Sequence, residues 1–83
     1  MKITLKLYAT LTDLLPPGAE RNQAVVEVPD DATLQSVIET YKVPPELAHL
    51  VLINGHFFCV ADRAETRLKE NDVVAIWPPV AGG

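Results

Sequence analysis

Apolar and polar residues alternate in two segments within the first third of the chain. The segments are Lys2–Tyr8 and Gln23–Val28, and a period of two is typical of strands with one buried face. Pro29 closes the second segment, because proline has no N–H to give to a sheet ladder. Between the segments, Thr10-Leu11-Thr12-Asp13 has the spacing of a capping box and predicts a short helix. The apolar face of the first strand is predicted to consist of Ile3, Leu5 and Leu7.

A helical period follows these strands and predicts the main helix. Apolar residues recur at positions i, i+3, i+4 and i+7, which places them on one helical face. They are Leu34, Val37, Ile38 and Tyr41. Asp30-Asp31-Ala32-Thr33 is predicted to be the helix entry, with polar caps and with negative charge where the helix N-terminus is positive. Pro44 disfavours helical geometry at Val43, so we expect the helix to end there and Pro45 to begin a short helical turn.

The next apolar run predicts a hairpin. Leu50–Ile53 is continuously apolar, which indicates a strand buried on both faces or nearly so. Asn54-Gly55 favours a type I′ turn, since both central residues of that turn need positive φ. Phe57–Val60 is then predicted as the returning strand.

The end of the chain completes the predicted fold. Residues 61–69 show no regular apolar pattern and include several charged residues, so we expect them to run over the surface. Leu68 is expected to be the only residue that anchors this segment strongly to the core. Residues 70–72 predict a turn, and Val73–Trp77 a final strand. The order is strand, strand, helix, strand, short strand, strand, and one helix can pack on one face of a mixed sheet of four or five strands. This order predicts an α+β fold of the β-grasp, or ubiquitin-like, type over residues 1–77.

The sequence after the final strand differs from the rest of the chain. Two prolines, Pro78 and Pro79, cannot continue a sheet ladder, so residues 78–83 are expected to form an extended, flexible tail. Gly82 and Gly83 have no Cβ, which would leave the Gly83 carboxylate accessible and let the tail enter a narrow slot. The alternative is that the glycines are incidental to a frayed terminus.

Length and composition exclude several classes of function. The chain has 83 residues, of which 48% are hydrophobic and 22% charged, as expected for one small globular domain. The net charge of −4 disfavours nucleic acid and anionic membranes as partners and suits a basic protein. We expect a cytoplasmic location, because the sequence shows no membrane-spanning segment, no leader peptide and a single cysteine. The glycines form no phosphate-binding loop, so a partner would have to supply any nucleotide site.

Residues suited to catalysis or metal binding are few. Cys59 is predicted to lie in a strand as a small buried hydrophobe. His49, His56 and Cys59 match no zinc-binding pattern, so no metal site is expected. No set of nucleophile, base and orienting residue can be assembled. The chain is therefore not expected to be an enzyme by itself.

Three aromatic residues are candidates for contact with a partner. Phe57 and Phe58 are adjacent, so they should point to opposite faces of a strand. One is expected near the core and the other on the open face of the sheet, because one helix cannot cover both faces. The exposed ring, together with Trp77, indicates either a packed edge or a docking surface, and docking is favoured.

Three stretches resemble the MoaD/ThiS family of ubiquitin-like sulfur carriers. The ending Ile76-Trp77-Pro78-Pro79-Val80-Ala81-Gly82-Gly83 is similar to the terminal motif of MoaD, the small subunit of molybdopterin synthase. The stretches 51–55 and 63–74 resemble both MoaD and ThiS, the thiamine sulfur carrier. One departure is Asn71, which stands where glycine is usual between two acids. Asparagine tolerates the same left-handed turn.

The resemblance implies chemistry at Gly83. An adenylyltransferase of the MoeB or ThiF type would use Mg-ATP at its own site to convert the carboxylate into an acyl-adenylate. A sulfur donor would then replace AMP and leave a thiocarboxylate. Gly82 would let the tail enter the partners' active sites, and Pro78, Pro79, Val80 and Ala81 would contact those partners. The sulfur acceptor would be a large synthase subunit of the MoaE type or a ThiG-like synthase.

Several alternatives stay open at this point. The tail favours the molybdopterin pathway, whereas residues 63–74 fit the thiamine pathway equally well. Conjugation to other proteins through an isopeptide bond would use the same activated carboxylate. A non-catalytic ubiquitin-like interaction module would use the sheet face, with Phe57 or Phe58, and would not need Gly82 and Gly83.

Overall fold

The computed structural model describes residues 1–79 and contains a five-stranded mixed sheet in the order β2-β1-β5-β3-β4. The strands are β1 (Lys2–Leu7), β2 (Gln23–Glu27), β3 (Leu50–Ile53), β4 (His56–Phe57) and β5 (Val73–Trp77). β1 and β5 run parallel, and the other neighbouring pairs are antiparallel. This arrangement confirms the predicted β-grasp order of elements.

A single core lies between the sheet and helix α1 (Leu34–Thr40). The alternation predicted for β1 is confirmed, since its inward side chains are almost completely buried. The same core contains the predicted helical stripe and the inward residues of β3 and β5. Its largest fully buried side chains are Ile3, Leu5, Leu7, Leu11, Leu34, Ile76, Val37, Val51 and Val74. Within residues 1–79, no helix has the length and apolarity needed to cross a membrane.

The N-terminus of α1 is capped within the predicted helix entry, residues 30–33. Thr33 is the N-cap, and it forms a reciprocal capping box with Ser36. The Ser36 N–H donates to Thr33 Oγ1 at 3.1 Å, and the Thr33 N–H donates to Ser36 Oγ at 2.9 Å. The predicted helix entry is therefore confirmed at Thr33, whereas Asp30 and Asp31 do not cap the helix. Asp30 instead accepts a hydrogen bond from the N-terminal ammonium of Met1 at 3.1 Å.

The C-terminus of α1 lies within two residues of the predicted position, with Tyr41 as the C-cap, but a different feature sets it. The helix ends before Val43, because Lys42 adopts a left-handed φ of 59°. The Val43 N–H donates to the Ile38 carbonyl, and the Lys42 N–H donates to the Glu39 carbonyl. These two bonds form a Schellman motif. That motif, and not Pro44, ends the helix.

Two short 3-10 helices confirm the predicted helical turns. Ala9–Leu14 follows β1 directly, and Pro45–Leu47 precedes β3. The capping box predicted from Thr10 is wrong, because Tyr8 is the N-cap of the first of these helices and makes no side-chain capping bond. The 3-10 helix begins at Ala9, directly after β1. Thr10 therefore lies inside the helix and cannot be its N-cap.

β3 is buried on one face only, which corrects the prediction of two buried faces. Val51 and Ile53 are buried, whereas Leu50 is 38% exposed and Leu52 is half-buried. The reason is that α1 covers a single face of the sheet. In β5, the central strand, three consecutive residues are instead buried: Val74, Ala75 and Ile76.

The hairpin after β3 has the predicted turn but a shorter second strand. Asn54 and Gly55 have φ values of 51° and 85°, as a type I′ turn requires. β4 ends at Phe57, because the chain then turns into a 3-10 helix, Val60–Asp62, with Cys59 as its N-cap. Cys59 is exposed and outside any strand, so the prediction that it is a buried strand residue is wrong.

Residues 61–69 pack against the start of α1. The Leu34 N–H donates to the Thr66 carbonyl at 2.9 Å, and the Gln35 N–H donates to the Arg63 carbonyl at 3.0 Å. First-turn N–H groups have no partner within a helix, so this segment satisfies two of them. Leu68 is buried as predicted, but Arg63 is buried too. Leu68 is therefore not the only anchor.

Candidate functional site

β5 carries the chain to the predicted tail from the middle of the sheet. Its last carbonyls are hydrogen-bonded from both sides, because the Tyr8 N–H donates to Ile76 and the His49 N–H donates to Trp77, both at 3.2 Å. Pro78 is buried and Pro79 is exposed. A central strand that is bonded on both sides belongs to the part of a fold that opens last. The base of the tail is thus firmly held.

The reactive end predicted from the sequence lies outside the described residues. Val80, Ala81, Gly82 and Gly83 all belong to that part of the chain. The extended tail, its boundary after residue 77 and the role of the Gly83 carboxylate therefore stay predictions.

The start of β5 is fixed by the hairpin residue Asn54. Its backbone N–H donates to the Val73 carbonyl, and its side-chain oxygen accepts from the Val73 N–H, both at 2.9 Å. Asn54 Nδ2 also donates to Asp72 Oδ1 at 2.9 Å, while Asp72 Oδ2 accepts from the Lys69 N–H at 2.7 Å. Asn71 adopts a φ of 70°, the left-handed geometry expected where glycine is usual. Both ends of the strand that leads to the tail are therefore tied to neighbouring elements.

An aromatic stack lies at the base of the tail. The rings of Tyr8 and Trp77 are 3.9 Å apart and only 8° from parallel. The parallel register, which places Leu7 beside Ile76, brings the two following residues side by side. Sequence reasoning selected Trp77 but missed Tyr8. The signal that could have identified Tyr8 is the parallel pairing of the first and last strands in the predicted fold.

The face of the sheet opposite α1 carries a group of accessible apolar side chains beside this stack. The register places Leu50 beside Trp77 and Leu52 beside both Ala75 and Phe57. We call this group the open-face patch; it consists of Tyr8, Leu50, Leu52, Phe57 and Trp77. Phe57 is 58% exposed, and Phe58 packs against the core from the other side. The predicted split of the two phenylalanines is thus confirmed, whereas their role in binding stays a prediction.

A cationic side chain shares the face of the sheet that carries the open-face patch. Within the described chain, burial raises the pKa of Tyr41 and lowers that of Arg63, and neither residue belongs to the patch. Lys6 lies on the same face, beside Ala75 in the register. The open-face patch therefore consists of apolar and aromatic side chains, with Lys6 on the same face of the sheet.

The potential metal ligands named from the sequence do not come together. His49 precedes β3, whereas His56 follows the turn at the other end of that strand. Across residues 1–79, no group of three or more histidine, cysteine, aspartate or glutamate residues is placed to hold a metal ion.

Comparisons with known proteins agree with this geometry. The sequence profile of the ThiS family matches residues 5–83. No curated protein sequence matches the chain. A Pyrococcus furiosus protein named as molybdopterin converting factor subunit 1 is 25% identical, with a TM-score of 0.68 and coverage of 95% of this chain and 98% of that one.

Two further solved structures share the fold at lower identity. The small archaeal modifier protein 1 of Haloferax volcanii is 20% identical, with a TM-score of 0.67 and coverage of 95% and 98% of the two chains. In Helicobacter pylori, a chain from the complex of molybdopterin-converting factor subunits 1 and 2 is 19% identical. Its TM-score is 0.61, and the match covers 100% of both chains.

Proposed function

The chain belongs to the ThiS family, and from this premise we propose that it is a sulfur-carrier protein. The observation that carries the proposal is the extent of the family match, which includes Gly82 and Gly83 as well as the folded domain. In this proposal the chain is a protein cosubstrate: a partner enzyme activates the Gly83 carboxylate, and the chain then delivers sulfur for cofactor biosynthesis.

The chemistry at Gly83 follows from the properties of a carboxylate. A free carboxylate is a poor electrophile, because it is anionic and has no good leaving group. Attack of a carboxylate oxygen on the α-phosphorus of ATP would release pyrophosphate and form an acyl-adenylate. Sulfide would then attack the carbonyl carbon, AMP would leave, and a thiocarboxylate would result. With a persulfide donor, loss of AMP would instead give an acyl disulfide, and a second thiol of the donor protein would cleave its S–S bond to release the thiocarboxylate and form a disulfide on the donor. ATP and Mg²⁺ belong to the partner's site in this scheme.

We propose that the activating enzyme holds the carrier by the open-face patch. Trp77 belongs both to this patch and to the base of the tail, so a partner bound to the patch would lie where the tail begins. Exposed aromatic residues at such a surface contribute strongly when a partner removes them from water. Residues 78–81 would then extend from the docked domain into the partner's active site.

We propose molybdopterin biosynthesis as the pathway. The Pyrococcus furiosus neighbour is named as a subunit of molybdopterin converting factor, and the Helicobacter pylori neighbour is bound to subunit 2 of that factor. By analogy, the partners here would be an adenylyltransferase of the MoeB type and a large synthase subunit of the MoaE type. A ThiF-type enzyme with a ThiG-like synthase, in thiamine biosynthesis, is the alternative.

The proposal is tested by ATP-dependent release of pyrophosphate with a MoeB-type enzyme from the same organism. Deletion of Gly83 should abolish release and leave the thermal unfolding temperature unchanged, because Gly83 has no side chain and follows the last strand, β5, in the sequence. A deletion variant that kept full activity would contradict the proposal. Formation of an isopeptide bond to a lysine would indicate a protein modifier instead, and binding that depended only on Phe57 would indicate an interaction module.

A further inference from the structure

The turn between β3 and β4 contains an asparagine that is followed by a glycine. Asn54 precedes Gly55, whereas the other asparagines, Asn22 and Asn71, precede larger residues. The backbone nitrogen of the next residue can attack an asparagine side chain, and glycine has no side chain to hinder that attack. Gly55 is exposed, and a Cβ built on it would meet no atom within 4 Å. Water therefore has access to the Asn54–Gly55 peptide bond.

In the folded chain, the start of β5 holds the Asn54 side chain. Asn54 Oδ1 accepts from the Val73 N–H, and Asn54 Nδ2 donates to Asp72 Oδ1, both at 2.9 Å. The Asn54 N–H donates to the Val73 carbonyl, so the backbone nitrogen and the side chain of Asn54 are directed to the same residue. Attack requires the side-chain carbon Cγ to lie against the nitrogen of Gly55, on the other side of the Asn54 Cα. The two side-chain hydrogen bonds therefore oppose the attack.

The partners of the Asn54 side chain are fixed in turn. Asp72 is 9% exposed, and its second carboxylate oxygen accepts from the Lys69 N–H at 2.7 Å. The register pairs Ile53 with Val74, which joins the turn to β5. The Asn54 side chain is therefore released when the end of the hairpin opens. Such local opening costs less free energy than unfolding of the whole domain.

We propose that Asn54 is a deamidation site that the folded hairpin protects and that reacts when the end of the hairpin opens. In the opened turn, the nitrogen of Gly55 forms a bond to Asn54 Cγ, and the bond from Cγ to the side-chain nitrogen breaks. The proton of the Gly55 N–H passes to the departing nitrogen, which leaves as ammonia. Water then opens the resulting succinimide at one of its two carbonyl carbons and gives aspartate or isoaspartate. No group is oxidised or reduced.

Conversion removes the interactions that hold the start of β5. Aspartate at position 54 has no side-chain N–H to donate, and it places a second carboxylate beside Asp72, where like charges repel. Isoaspartate adds a methylene group to the main chain of the turn. The modified hairpin therefore opens more readily than the original one. The site lies at the start of β5 and not at Gly83, so its chemistry does not depend on the proposed sulfur-carrier function.

The test compares deamidation rates in the folded chain and in the chain unfolded in guanidinium chloride, at one pH and temperature. Peptide masses after digestion report the conversion of each asparagine. In the unfolded chain, Asn54 should convert faster than Asn22 and Asn71. In the folded chain, Asn54 should convert at least about tenfold more slowly, because only the opened fraction reacts. Equal Asn54 rates in the two states, or an Asn54 rate no higher than the others in the unfolded chain, would overturn the proposal.

Two variants separate local opening from unfolding of the whole domain. Asp72→Ala removes the acceptor of Asn54 Nδ2, so the folded chain should deamidate at Asn54 about tenfold faster than the wild-type chain. Val37→Ala is the matched control, because it removes core contacts in α1 and leaves the bonds of the turn in place. Equal acceleration by both variants would overturn the proposal. If Asp72→Ala fails to fold, the comparison of folded and unfolded wild-type chain decides the question.

The effect of conversion is measured on a variant that carries the product. Asn54→Asp should unfold at a lower guanidinium concentration than the wild-type chain. Asn22→Asp makes the same chemical change before the edge strand β2, away from β5, and should unfold close to the wild-type midpoint. Equal midpoints for the two variants would contradict the loosening of β5.

Discussion

Replacement of Phe57 by alanine should weaken binding of the activating enzyme and leave the fold nearly as stable as before. Phe57 is 58% exposed on the open face, and only its backbone takes part in the ladder with Leu52. Its ring therefore contributes little to the core. In a complex that covers the open-face patch, the same ring would be removed from water.

The expected loss of affinity follows from the exposed area of the ring. A phenylalanine buries about 150–250 Å² when fully covered, so an exposed fraction of 58% corresponds to roughly 90–145 Å². At about 25 cal/mol per Å², complete burial of that area would contribute roughly 2–4 kcal/mol. Because a partner rarely covers a side chain completely, we expect a loss of about 2 kcal/mol, which is roughly a thirtyfold increase in Kd.

The assay is calorimetric titration of the chain into the MoeB-type adenylyltransferase, with thermal unfolding as the measure of stability. Val25→Ala is the control, because Val25 is 68% exposed on the same face but lies on the edge strand β2, away from the tail. This control should bind within about twofold of the wild-type chain. Unchanged binding of the Phe57 variant, or an equal loss with Val25→Ala, would refute the assignment of the open-face patch.

Three further predictions concern the local interactions that shape the fold, each measured as the free energy of unfolding in urea. Asn54→Ala removes the side-chain bonds to Val73 and Asp72 and leaves alanine at a φ of 51°, so we expect a loss of about 2–3 kcal/mol; wild-type stability would contradict this. Asn71→Ala should lower the free energy of unfolding by about 1 kcal/mol, because alanine is strained at the φ of 70° found here. Asn71→Gly should lower it less, and equal losses in the two variants would argue against backbone strain. Thr33→Ala should cost about 1 kcal/mol through loss of the cap, with Thr33→Ser retaining the hydroxyl as its control; a similar loss in both would count against capping.

The elements predicted correctly are those whose signal is local. The alternation of Lys2–Tyr8, the helical stripe from Leu34 and the Asn54-Gly55 turn depend on neighbours within a few residues. These elements could therefore be predicted before any tertiary contact was known. The overall order followed, because few arrangements of one helix and five short strands bury all the apolar faces.

The incorrect predictions concern positions that distant residues decide. The apolar run Leu50–Ile53 does not indicate how many faces of the strand are buried. That number depends on the single helix that packs on the sheet. The end of β4 before Cys59 is not marked by any change in hydrophobic pattern. The carbonyl of Arg63 bonds to Gln35, a contact across the chain with no periodic signal. The Tyr8–Trp77 stack likewise requires the pairing of the first and last strands.

The candidate site was predicted in part. Residue type indicated Gly82 and Gly83 as a candidate reactive end, because two residues without side chains after a proline stop suit entry into a narrow active site; this end lies outside the described residues, and its role stays a prediction. The adjacency of Phe57 and Phe58 correctly implied one inward and one outward ring. The size of the open-face patch could not be predicted, since Leu50 and Leu52 were expected to be buried.

The central claim is tested most directly by the intact mass of the protein isolated from its own host, before and after alkylation selective for thiocarboxylates. Alkylation is needed because sulfur in place of oxygen adds almost the same mass as oxidation of Met1, Cys59 or Trp77. We predict an alkylated C-terminal fragment that ends at Gly83. A free Gly83 carboxylate that stays unchanged with Mg-ATP, a sulfur donor and the activating enzyme would contradict the sulfur-carrier function.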